Sequence, residues 1–316
     1  MTTTAYTFDG VQLRALDWQP QRTLRWAAWR PDGARLLAVG NGGCAVLSDG
    51  RILDYVDTRT RQNLRGAAWS PDGSTALLAG NRGAVLRLRG EAIDELSAPT
   101  TENLRRVAWH PGGEYALIVG NAGVVLRYEA RDGRLTPLPG DRAHTLRSVA
   151  FRLDGAYALI GAYASKYAGY PRPHPLYRSD GRYLQSLLAS DDEDDFVSVD
   201  WSASGQALVC GYAWDASGTL VNKALTFDGS SWQTQAWPAK GIVLGAAWRP
   251  DRDEAALVGE AGLLLLLKAN GKLEALDAET NDNLIGPFWR PDGSNAVLLK
   301  GPDERSTRCE RWSADA

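Results

Sequence analysis

The sequence predicts an all-β fold, a single closed seven-bladed β-propeller with four-stranded antiparallel blades, on three observations. One phrase recurs seven times at a period near forty residues; the copies end in turn-forming residues; and each chain end carries only part of a repeat.

The clearest copies are LRWAAWRPDG at 24 to 33, LRGAAWSPDG at 64 to 73 and LRRVAWHPGG at 104 to 113. Weaker ones are LRSVAFRLDG at 146 to 155, FVSVDWSASG at 196 to 205, VLGAAWRPDR at 243 to 252 and LIGPFWRPDG at 284 to 293. Their anchor aromatics are Trp29, Trp69, Trp109, Phe151, Trp201, Trp248 and Trp289, spaced by 40, 40, 42, 50, 47 and 41 residues. Such a period suits propeller blades or helical pairs. The local pattern decides, because each phrase is a short run of small, β-branched and aromatic residues that runs into Pro-Asp-Gly or a variant of it, the chemistry of a tight turn.

Each repeat then supplies a second apolar run such as ALIVGN at 116 to 121, a third such as GVVLRYEA at 123 to 130, and a short fourth such as RLTPL at 134 to 138. These are strands A to D of one blade, with the aromatic on strand A. The runs are nearly continuous in apolar residues because neighbouring blades cover both faces. The chain begins with AYTFDGVQLRALDW ahead of the first strand A and ends with STRCERWSA after the last strand B, and neither piece makes a blade alone. The first piece is similar to ALTFDGSSWQTQAW at 224 to 237, the outer strands of the fifth repeat. It is therefore expected to join the last blade, close the ring and remove its free edges. Residues 1–316 read as one domain.

AWSPDGSTALLAGNRGAVLRLRG at 68 to 90 resembles the WD-repeat family, whose strand A ends in a Ser-Pro-Asp-Gly turn before a Gly-rich second strand. No repeat carries the family's Gly-His dipeptide or its Trp-Asp ending, so its polar tetrad is absent. Asn41, Asn81 and Asn121 stand about where the family has Ser-x-Asp and are expected to cap the second turn. The resemblance implies a rigid platform for assembling other macromolecules, an inference from fold alone.

Composition narrows the function. A content of 44% hydrophobic and 23% charged residues is globular. The net charge of −3 gives no basic excess for nucleic acid, and no run is apolar enough for a membrane span. The amino terminus has neither a basic nor an apolar signal region, and Cys44, Cys210 and Cys309 cannot all pair; a cytoplasmic location is expected. His110, His144 and His174 lack metal-ligand spacing, and no phosphate loop or nucleophile elbow is present. The expectation is a non-enzyme without cofactor or metal that binds a protein partner. A small-ligand or carbohydrate binder is the alternative, with Trp26, Trp214, Trp232 and Trp237 outside the anchor series as candidates. A channel-centred hydrolase or lyase comes third, since Asp200 alone supplies an acid on a strand A.

The candidate site lies where the ring departs from its own repeat. Blade four has a long B to C connection at 162 to 175, blade five another at 212 to 222, and an acidic D to A link lies between them at 191 to 195. In an antiparallel meander all three emerge on one face. They gather Tyr163, Tyr167, Tyr170, Arg172, His174 and Trp214 with Asp191, Asp192, Asp194 and Asp195, and Tyr, Trp and Arg are frequent interface anchors. The other reading is that these loops only seal a widened gap between blades. Four residues before the anchor, Arg25, Arg65, Arg105 and Arg147 form a candidate anion arc near the central opening, or else pair locally in place of the tetrad. After the anchor, Arg30, His110, Arg152, Arg249 and Arg290 could form a basic ring on the opposite face or pair with the turn acids.

Overall fold

The computed structural model describes residues 4–139, 144–164, 176–187, 194–214, 217 and 219–302. Strands β1 (Ala5–Phe8) and β2 (Leu13–Leu16) come first. Blade one is β3 (Leu24–Trp29), β4 (Leu36–Gly40), β5 (Ala45–Ser48) and β6 (Leu53–Tyr55). Blade two is β7 (Leu64–Trp69), β8 (Ala76–Gly80), β9 (Val85–Arg89) and β10 (Ala92–Leu96). Blade three is β11 (Leu104–Trp109), β12 (Tyr115–Gly120), β13 (Val125–Glu129) and β14 (Leu135–Pro137). Blade four is β15 (His144–Phe151), β16 (Ala158–Ala164), β17 (Leu176–Ser179) and β18 (Leu184–Ser186). Blade five is β19 (Asp194–Trp201), β20 (Ala207–Trp214), β21 (Leu220–Phe227) and β22 (Trp232–Thr234). Blade six is β23 (Val243–Trp248), β24 (Ala255–Gly259), β25 (Leu264–Leu267) and β26 (Leu273–Ala275), and β27 (Leu284–Trp289) with β28 (Ala296–Lys300) begins blade seven.

Each blade is one antiparallel sheet, and the strands A touch one another in cyclic order, β27 against β3 included. The expected closure is present. Strand β1 pairs with β28, from Ala5 opposite Leu299 to Phe8 opposite Ala296, and β2 pairs outside β1. The Tyr6 hydroxyl donates to Asp282 Oδ2 at 2.5 Å, and Arg249 Nη1 of blade six donates to the Asp9 carbonyl at 3.0 Å, so the joint is tied on both sides.

The core is a set of seven wedges among the described residues, each shared by two adjacent blades. Leu77, Ala79 and Val85 of blade two meet Leu104, Val107 and Trp109 of blade three, for example. Strands β4, β8, β12 and β24 are buried at every position because both of their faces join a wedge. Each such Leu or Val stabilises the ring by about 1.5–3 kcal/mol.

The anchor aromatics stitch blades together through polar atoms as well. Trp29, Trp109 and Trp201 donate their indole N–H to the carbonyls of Phe288, Ala68 and Ala150, at 3.1, 3.2 and 3.2 Å, each on strand A of the preceding blade. In the turn after each anchor, Gly33, Gly73 and Gly293 take φ near +70° and donate to the residue three back. The residues after the anchor pair locally: Arg30 with Asp32 at 2.6 Å, Arg249 with Asp251 at 2.9 Å, His110 with Glu114 at 2.8 Å, and likewise Arg152 and Arg290. Arg152, Arg249 and Arg290 also lie over Trp201, Trp289 and Trp29, the anchors of the next blades. This ring of basic residues is thus part of the inter-blade packing.

Cys44 and Cys210 are buried thiols outside any disulfide, and burial pushes both thiols up from their ordinary range; Cys309 lies outside the described residues. No helix among the described residues is long and apolar enough to cross a membrane.

Candidate functional site

Strand alternation puts every B to C and D to A connection on one face of the disc. In blades one, two, three and six, strand B stops at Gly40, Gly80, Gly120 and Gly259, opposite Leu24, Leu64, Leu104 and Val243. A single 3-10 turn follows, opened by Asn41, Asn81, Asn121 or Glu260. The closing glycine of this turn is required by its surroundings. At Gly43, Gly83 and Gly262 φ is +71° to +76°, and a Cβ would sit 1.9–2.0 Å from the carbonyl oxygen of Thr60, Thr100 or Thr280 on the adjacent link.

Blades four and five lack this turn and continue pairing past that level. Thr145 pairs with Tyr163 and His144 with Ala164; Asp195 pairs with Tyr212 and Asp194 with Ala213. The β20–β21 ribbon extends to Trp214 opposite Leu220. Buried polar contacts hold these extensions. The His144 ring nitrogen Nδ1 and the Tyr177 hydroxyl share a hydrogen bond, while Asn222 donates to the Gly241 carbonyl at 2.5 Å and accepts from the Val243 amide at 2.9 Å. Of the sequence-derived patch, Tyr163 and Asp195 are half-buried at this raised level. Trp214 and Asp194 are placed as strand ends. Tyr167, Tyr170, Arg172, His174, Asp191 and Asp192 lie outside the described residues.

Arg25, Arg65, Arg105 and Arg147 share a repeated irregularity of the backbone. The A–B register shifts by one residue at Leu24/Trp26, Leu64/Gly66, Leu104/Arg106 and Leu146/Ser148, so Arg25, Arg65, Arg105 and Arg147 are the bulged residues. A bulge re-aims the side chain it carries. Arg25, Arg65 and Arg105 donate Nε–H to the Oδ1 of Asn41, Asn81 and Asn121, the last at 2.8 Å. The three Asn thus hold guanidinium groups besides opening the turn. In blade four Tyr163 occupies the Asn position, and Arg147 lies 5.6 Å over its ring. Val197, Leu244 and Ile285 make the rest of the rim apolar.

Below the arc, one residue that the repeat gave no means of picking out occupies the centre. Arg106 of blade three lies 3.6 Å over the indole of Trp26 of blade one, and that indole packs edge-on against Phe288 of blade seven at 4.8 Å. Side chains of non-adjacent blades meet only across the central opening, so Arg106 and Trp26 reach into it. Gly66 of blade two makes room, since a Cβ there would lie 2.6 Å from the Arg105 carbonyl oxygen. Arg106 Nη1 donates to the carbonyls of Arg65 and Arg105 at 2.7 and 2.8 Å, while its buried Nε finds no acceptor. Burial, then the like charges of Arg147, Arg105 and Arg65, push its proton affinity well below the ordinary guanidinium range.

Asp200 lies one residue before the anchor on strand A of blade five. Its Oδ2 accepts the Trp248 amide at 2.7 Å, and burial raises its carboxyl to about 7 against the opposing effect of two backbone hydrogen bonds. The equivalent residues of blades one to four are Ala28, Ala68, Ala108 and Ala150. Among the described residues no group of three or more His, Cys, Asp or Glu could hold a metal ion.

The tryptophans outside the anchor series have separate duties. Trp26 packs against Phe288 under Arg106, Trp232 stacks on Phe227 at 4.6 Å, and Trp237 packs against the wedge between blades five and six; the Trp214 side chain lies outside the described residues. Two open grooves flank equivalent turns of blades one and three, about 570 and 510 Å³, with unlike walls. The first carries the charged side chains of Arg22, Asp57 and Arg59, whereas the second sets Pro99, Pro137 and Leu138 beside Thr100, Thr101 and Glu102. Comparison with protein-family models and with curated proteins finds no match for this chain.

Proposed function

We propose that this propeller is a non-catalytic protein-protein interaction scaffold, a divergent WD-repeat-like ring working in the cytoplasm, and that it presents the raised side of blades four and five to a protein partner. The observation that supports the reading is the extension of β15, β16, β19, β20 and β21 beyond the level at which blades one, two, three and six turn back. Closing a propeller does not demand this, and hydrogen bonds brace it, buried at His144 and half-buried at Asn222. The aromatics of the B to C connections would supply contact area, and the acidic link would speed approach of a basic partner, an effect that salt weakens.

The lectin-like alternative draws little support, because its sites should repeat from blade to blade, whereas the two equivalent grooves have unlike walls. Affinity capture from the native cell tests the proposal. The intact chain should retain a defined protein, and a variant with residues 191 to 195 changed to Ser and residues 163 to 173 shortened should lose it. Equal retention by both would remove the site from consideration.

A further inference from the structure

We propose that the mouth of the central channel, over blades two to four, binds the phosphate group of a phosphate monoester, with Arg106 and Arg147 as its contacting cations. This stands apart from the partner-binding reading, since it concerns a small oxyanion at the axis.

Four observations converge on that mouth. Arg65, Arg105, Arg106 and Arg147 come from three successive blades and lie near enough for their charges to act on Arg106. Arg147 makes no hydrogen bond or ion pair among the described residues and lies over the Tyr163 ring. Arg106 commits Nη1 to two carbonyls and leaves Nε without an acceptor. Both side chains are half-buried and therefore still reach solvent. Like charges gathered in a partly desolvated place repel one another, and an anion bound among them turns that repulsion into attraction.

The number of charges and the shape of the mouth select the anion. A carboxylate offers one negative charge, whereas a phosphate monoester carries about −1.5 to −2 at neutral pH and has three oxygens to share among several guanidinium forks. Trp26, packed against Phe288, narrows the channel beneath Arg106, so the phosphate enters from the B to C face and its ester substituent stays outside. The anchoring of Arg65 and Arg105 through Nε to Asn81 and Asn121 fixes two of the guanidinium planes in advance, which lowers the ordering cost of binding.

The test is calorimetric titration of the full chain with inorganic phosphate and pyrophosphate, and with acetate at matched ionic strength. Saturable binding of the first two, with acetate at least tenfold weaker, is expected. Arg147→Gln should weaken pyrophosphate tenfold or more, and so should Arg106→Lys, which keeps a charge over Trp26 but removes the fork. Arg290→Gln, on the opposite face, should change it less than twofold. Circular dichroism of each variant verifies that the ring is intact. Equal affinity for acetate and pyrophosphate, or wild-type affinity in a folded Arg147→Gln variant, would overturn the proposal. Two further arms use glucose 6-phosphate and a phosphoserine peptide, each beside its unphosphorylated form. The phosphorylated form bound tenfold more tightly than its counterpart identifies the source as metabolite or protein side chain; no gain in either overturns the assignment to a monoester.

Discussion

The guanidinium of Arg106 lies 3.6 Å over the indole of Trp26, joining blade three to blade one past Gly66 of blade two. A cation over an aromatic face in a partly desolvated position contributes about 1–2 kcal/mol. A double-mutant cycle with Arg106→Ala and Trp26→Ala, read by urea unfolding, should return a coupling energy of that size. A coupling near zero would mean that the two side chains merely fill the opening side by side.

Gly83 and Gly50 both have positive φ, at +71° and +101°, yet their surroundings differ. A Cβ at Gly83 would lie 2.0 Å from the Thr100 carbonyl oxygen, whereas at Gly50 nothing lies within 4 Å. Gly50→Ala should cost about 1 kcal/mol from the backbone alone. Gly83→Ala adds a clash with the next link and should cost about 3 kcal/mol or more, visible as a lower melting temperature.

Asp200 should make stability depend on pH. Burial pushes its carboxyl up to about 7 in the fold, so between about pH 4 and 7 the unfolded chain loses this proton first. Stability from this group is therefore full below about pH 4, falls through that window and stays low above 7, by on the order of 2–4 kcal/mol. Carboxylates in the turns, such as Asp72 and Asp228, are held below their usual range by hydroxyl and amide donors and act in the opposite direction. Comparing Asp200→Asn with wild type isolates this residue's part. The Asn side chain can still accept the Trp248 amide, and the variant should be the more stable protein at pH 8 and lose the advantage at pH 4.

Ring closure rests on β1, so Phe8→Ala, in the wedge between blades six and seven, should destabilise the whole ring by about 3–5 kcal/mol. Deleting residues 4 to 16 should abolish cooperative unfolding, and a synthetic peptide of residues 1 to 20 added in trans should restore it. Unfolding unchanged by the deletion would contradict the closure.

The architecture was readable because it repeats. Seven anchors followed by turn residues specify seven strands A, and the half-repeat before Leu24 announces the closure. Local pairing was partly readable too, since Arg30 with Asp32 and Arg290 with Asp292 stand two residues apart. Arg106 was not, because it occurs in one repeat, at a position where the others carry Trp26, Gly66, Ser148, Ser198, Gly245 and Gly286. Its meaning depends on Trp26, eighty residues away along the chain and reached only when the ring forms. The bulges at Arg25, Arg65, Arg105 and Arg147 also left no mark in composition, for a bulge is a matter of register between strands.

The pairing of β1 with β28 sets an order of events during synthesis. About 290 residues separate the two strands, and at 5–20 residues per second a ribosome needs roughly 15–60 s to make them. Throughout that interval Tyr6 and Phe8 can pair only with β2 on one side, while blades one to six can already stack behind them. The nascent chain therefore carries an open seam with an apolar flap, which chaperones could recognise and a neighbouring ribosome's product could fill by mistake. The arrival of β28 turns a row of blades into a ring.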